Sequence, residues 1–138
     1  MVKRAALMIF AVAAIAAPAG AQTGSAWARF AAGFVTSIVA HEGGHLTAAL
    51  VQGSHPTFGL DHGRPTVFSG INPYEHPHKQ FVFSSAGLNV QTLVDEGILD
   101  DRGGAGPFKR GILAGGIATV AFYLTIGRTA RVSDIAYM

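Results

Sequence analysis

Apolar residues fall in four blocks along this chain, separated by stretches rich in glycine, proline and charge. The first, residues 5–17, follows Lys3 and Arg4 and is broken by Pro18, with the small-x-small triplet Ala19-Gly20-Ala21 just beyond. A basic start, a short apolar run and a small-residue cleavage site are the parts of a secretory signal peptide, and the run falls short of the ~20 residues a spanning helix needs. Residues 1–21 are therefore expected to be a signal peptide, and residues 22–138 the mature domain. The second block, residues 30–51, has His41, Glu42 and His45 as its only ionisable groups, with Trp27 at interfacial height before it. This pattern predicts a membrane helix.

Residues 52–80 change character. Gly53, Pro56, Gly59, Gly63, Pro65, Gly70, Pro73 and Pro77 punctuate short β-prone pieces, Thr57-Phe58 and Thr66-Val67-Phe68, which predicts a loop or β-hairpin. The third block, residues 81–94, suits a re-entrant or partly buried helix better than a full span. Its small residues permit close approach to the motif helix, while Asn89 and Gln91 are amides that need partners in an apolar layer. Asp95-Glu96 and Asp100-Asp101-Arg102 close it, and Gly103, Gly104 and Gly106 lead through a surface turn to Pro107. The last block, residues 111–126, lies between Lys109 and Arg110 on one side and Arg128 and Arg131 on the other, and Gly115, Gly116 and Ala118 allow close packing. The expected fold is mainly α: a small helical membrane protein of three apolar helices, with a β-hairpin or loop inserted after the first.

Composition strengthens this picture. In 138 residues, 49% are hydrophobic and 13% charged, with a mean hydropathy of +0.35. An ordinary soluble domain carries roughly 25% charged residues, so the lipid bilayer is the expected partner. The net charge of +2 comes from few charges without a basic run, which leaves no case for nucleic acid. Cysteine is absent, so any metal must be held by His and carboxylate.

The candidate chemistry sits in the second block, in the stretch His41-Glu42-Gly43-Gly44-His45. On a helix, positions i and i+4 share a face, so both imidazoles can reach one zinc ion while Glu42 stands beside it to take a proton from water. Such a site needs a third protein ligand. Asp134 is preferred, because the end of the last helix can fold its carboxylate back over a neighbour. Asp95, Glu96 and the loop residues His55, His62, His76 and His78 are the alternatives. Gly43 and Gly44 weaken the helix by about 1 kcal/mol each relative to alanine, so close packing or substrate access must compensate them.

The motif His41-Glu42-x-x-His45 in an apolar helix, followed by a glycine-rich β-prone loop, a Ser85-Ala86-Gly87-Leu88-Asn89 helix and a late Asp, resembles the intramembrane metalloproteases of the site-2 protease type. The resemblance implies that His41, His45 and Asp134 hold zinc, that Glu42 is the general base, and that Asn89 is the amide of a helical hairpin beside the site. It departs from the family in the surroundings of Asp134, Val132-Ser133-Asp134-Ile135, and in carrying a signal peptide ahead of the catalytic helix. The expected function is a zinc-dependent endopeptidase acting in or at a bacterial inner membrane, or in the periplasm, on a peptide or membrane-protein substrate. The alternative is a non-catalytic membrane or export-associated protein with a structural metal or a polar seam between helices.

Overall fold

The computed structural model of the chain describes residues 24–61, 63–125 and 137–138. The expected signal peptide, His62 and Asp134 lie outside the described residues. The element order is helix α1 (Gly24–Val51), strands β1 (Thr57–Asp61) and β2 (Arg64–Phe68), then helices α2 (Pro77–Asp100) and α3 (Pro107–Thr125).

Each boundary has a local cause. Gly53, at φ +70°, lets the chain turn off the end of α1 at no Cβ cost. Asp61 pairs with Arg64 across a two-residue turn whose second residue, Gly63, has φ +82°, and this closes an antiparallel hairpin. Proline opens both α2 and α3, where its missing N–H would have no intrahelical partner. The turn between α2 and α3 is clipped by Asp101, which accepts from the Gly103 N–H at 2.9 Å and pairs with Lys109; these contacts hold its carboxyl below the usual range.

α1 is the central element. It runs parallel to α3, with the Phe108 carbonyl against Gly33 and the Phe30 carbonyl against Gly111, positions where a Cβ would overlap the neighbouring backbone. It runs antiparallel to α2, with Gly44 against Ala86, Ser37 facing Gln91 and His45 facing Phe83. Small residues thus let backbones replace side chains at both seams. An apolar cluster of Ala49, Val67 and Phe83 with Leu46 and Ile71 around them lies where β2 meets α1 and α2, and Phe30 of α1 and Ile112, Ala114 and Ala118 of α3 are buried as well.

Two expectations are corrected. The three helices and the hairpin are present, but no helix among the described residues is long and apolar enough to cross a membrane. The reason lies in the sequence of each. Ser37, Thr36, Thr47 and the motif interrupt α1; Gln80, Ser84, Gln91 and Asp95 punctuate α2; and α3 has 19 residues of which Lys109 and Arg110 lie in the first turn. The third apolar block is also no short re-entrant piece. It is the middle of a 24-residue helix, because His78, Lys79 and Gln80 before it, and Asp95, Glu96 and Asp100 after it, continue the helical turn.

Candidate metal centre

His41 and His45 lie one turn apart on the face of α1 that meets α2 and α3, and they are 2% and 3% exposed. Their Nε2 atoms converge at 3.1 Å. The His45 Nδ1–H donates to the Phe83 carbonyl at 2.8 Å, which fixes the tautomer and leaves the Nε2 lone pair turned toward His41. Phe83 also stacks against the His45 ring at 4.9 Å between centroids, so the imidazole is held both by its polar edge and by its face. Gly87 faces the same pair. A Cβ there would overlap His45 Nε2 and stand 2.8 Å from His41 Cε1, so the absence of a side chain keeps the imidazole edges clear.

Tyr123, 1% exposed near the end of α3, brings its hydroxyl to 3.1 Å from His41 Nε2. Arg64, the first residue of β2, donates from Nη2 to that hydroxyl at 3.0 Å and lies over the Phe122 and Tyr123 rings at 5.1 and 5.2 Å. Its Nη2 is also 3.6 Å from Glu42 Oε1. The other carboxylate oxygen, Oε2, accepts from the Val67 N–H at 2.9 Å. Val67 can make this bond because its pairing with Phe58 alternates with the hydrogen-bonded pairs of the ladder, so its N–H points to the open edge of β2, where Glu42 caps it. The hairpin is thereby tied to the motif helix through the proposed base itself.

The fit to zinc is good for two ligands. Two buried imidazoles with converging Nε2 atoms, one of them held by a backbone carbonyl on its far nitrogen, form the donor pair a zinc site uses. Among the described residues, however, no group of three or more His, Cys, Asp or Glu side chains is gathered for a metal ion. Asp95 lies two turns along α2 from Gly87, about 12 Å at ~1.5 Å per residue, with its carboxylate against Gly116 of α3 rather than the imidazoles. Its Oδ1 has no hydrogen-bond partner among the described residues, and burial pushes its pKa up to about 6. Glu96 is exposed on α2; His55 lines a cleft with Gly70 and His76; and His78 is exposed at the start of α2.

Asn89 is exposed on α2 and lines an open groove of about 690 Å³ with Gly43, Thr47, Val82 and Ser85, whose walls include neither imidazole. The amide that enters the interior is Gln91, which donates to Ser37 Oγ one turn before His41. The motif glycines divide in the same way. Gly44 packs so closely that a Cβ would stand 2.7 Å from the Ala86 carbonyl, whereas Gly43 has open space on the groove.

Tyr123, Arg64 and Gly87 are not singled out by the sequence patterns. Tyr123 had a usable signal, since a phenol in an apolar helix needs a partner for its hydroxyl. Arg64 had a weaker one, a cation beside a turn glycine, and Gly87 had none beyond belonging to a small-residue stretch. No protein-family model matches the chain, and neither a curated protein nor a solved structure with significant similarity was found, so the likeness to site-2 proteases rests on the motif residues alone.

Proposed function

We propose that this protein is a zinc-dependent hydrolase of peptide bonds working at the membrane, with His41 and His45 as two metal ligands and Glu42 as general base. The observation that carries the reading is the imidazole pair, Nε2 to Nε2 at 3.1 Å, with His45 oriented by the Phe83 carbonyl. Zinc bound there supplies a Lewis acid that activates water and polarises the scissile carbonyl. Glu42 takes one proton from the attacking water and delivers it to the amine nitrogen as the C–N bond breaks. To do so its carboxylate exchanges the Val67 N–H for the water. Asp134, which lies outside the described residues, is the proposed third ligand, as the resemblance to site-2 proteases implies. Exposed apolar residues on the outer helix faces, Val35 and Val39 on α1 and Ile117, Val120 and Leu124 on α3, support work against a lipid surface.

A second reading has its own observation. Glu42 is engaged by Val67 and Arg64, and Ser37 by Gln91, so the same residues could serve as a polar seam joining helices and hairpin. Glu42→Gln separates the two. Zinc retained with hydrolysis of a mixed-sequence fluorogenic peptide lost supports the enzyme, and full hydrolysis by that variant refutes Glu42 as base.

A further inference from the structure

Resting on that reading, we infer that Tyr123 is a further catalytic residue, which hydrogen-bonds the substrate carbonyl oxygen as it gains charge, and that Arg64 is its positioning residue. The side chain is one of the most deeply buried in the molecule, yet it is placed with its only polar atom 3.1 Å from His41 Nε2, the atom proposed to hold the metal. Arg64 donates to the phenol oxygen at 3.0 Å, so the oxygen acts as acceptor there and its own hydrogen is directed elsewhere. With His41 Nε2 engaged as a ligand, the phenol hydrogen is left to an oxygen brought to the site.

Arg64 makes the phenol a better donor by placing positive charge beside its oxygen, and its stacking over Phe122 and Tyr123 fixes the ring. The same guanidinium stands 3.6 Å from Glu42, so one side chain spans the proposed base and the proposed oxyanion donor. The Arg64 side chain is partly open to solvent. In the hydrolytic step the water oxygen bonds to the carbonyl carbon, Glu42 takes the released proton, and the Tyr123 hydroxyl donates a hydrogen bond to the carbonyl oxygen without losing its proton. When the C–N bond breaks, the oxygen returns to a carbonyl and the hydrogen bond weakens. The stabilisation is therefore largest at the transition state.

The test compares the full-length zinc-loaded chain with Tyr123→Phe in three measurements: zinc per chain, kinetics on a mixed-sequence fluorogenic peptide, and binding of a peptide phosphonate, whose tetrahedral anion stands in for the reacting carbon. Expected are unchanged zinc, kcat lower by about 10²-fold with KM within about twofold, and phosphonate binding weaker by at least about tenfold. Unchanged kcat, or loss of zinc in Tyr123→Phe, overturns the assignment. If the phenylalanine variant does not fold, Arg64→Met decides. A drop in kcat of about tenfold at full zinc, partly restored in Arg64→Lys, supports the pair, and unchanged kcat overturns it. Failure of the underlying reading looks different: the wild-type chain then holds no zinc, or Glu42→Gln hydrolyses the peptide at the wild-type rate, and the tyrosine assignment falls with it.

Discussion

Gly87 carries no chemistry of its own, yet it keeps the imidazole edges of His41 and His45 clear. In Gly87→Ala the methyl group must displace one ring or move α2, so zinc affinity is expected to fall by at least about tenfold while helix content is kept; metal titration checks the first and circular dichroism the second. Asp95 gives a second test at this scale. Its folded pKa, raised by burial from the ordinary 3.8 to about 6, means that the folded state holds the proton more tightly than the unfolded chain. That contribution to stability is fully present below 3.8 and is lost as pH rises through about 6. Asp95→Asn is therefore expected to stabilise the protein at pH 8, by no more than about 1 kcal/mol because the carboxyl is only partly buried, and to have little effect at pH 4. Urea denaturation at the two pH values reads the difference. The spacing of His41, Glu42 and His45 made the imidazole pair legible from sequence, because i and i+4 on a helix need no knowledge of the rest of the fold. The Tyr123 contact was not legible, since it joins residues 82 apart and depends on how α3 lies along α1.

Among the elements, the hairpin is the one whose attachment can be cut with a single residue. Glu42→Gln keeps an oxygen for the Val67 N–H and loses only the charge toward Arg64, whereas Glu42→Ala removes both. Exchange of the Val67 amide is expected to accelerate by about tenfold or more in the alanine variant and much less in the glutamine one, the loss of a bond to a charged acceptor being worth about 1.5 to 3 kcal/mol. Equal acceleration in both would show that the carboxylate charge, not the hydrogen bond, holds β2. The hairpin itself was readable from Gly63 and the β-prone pieces on either side. The length of α2 was not, because hydrophobic pattern marks the buried middle of a helix and misses polar turns such as those at His78 and Glu96. The fate of Gly43 and Gly44 was equally hidden: one packs on Ala86 and the other opens on a groove, a difference set by which face α2 covers.

For the whole molecule, the balance of terms explains why the membrane-spanning expectation failed. High overall apolar content points to a membrane protein of three apolar helices, the middle one re-entrant or partly buried, but it is divided by serines, glutamines and glycines that serve close helix contact and the polar interior, and no described helix keeps a long enough apolar run. Two imidazoles converge at the buried meeting of the three helices, and a metal ion held there would add to the stability of the folded chain. A ligand that binds only the folded state adds about 2.7 kcal/mol at a concentration a hundred times its Kd. Zinc is therefore expected to raise Tm by roughly 10 °C, and a chelator to reverse it, with no such shift in His41→Ala. The central claim is most directly tested by zinc stoichiometry of the purified protein beside His45→Ala and Asp134→Ala: the account predicts one zinc per wild-type chain and loss of metal in both variants, and a wild-type chain without zinc, or His45→Ala with its zinc intact, would contradict it.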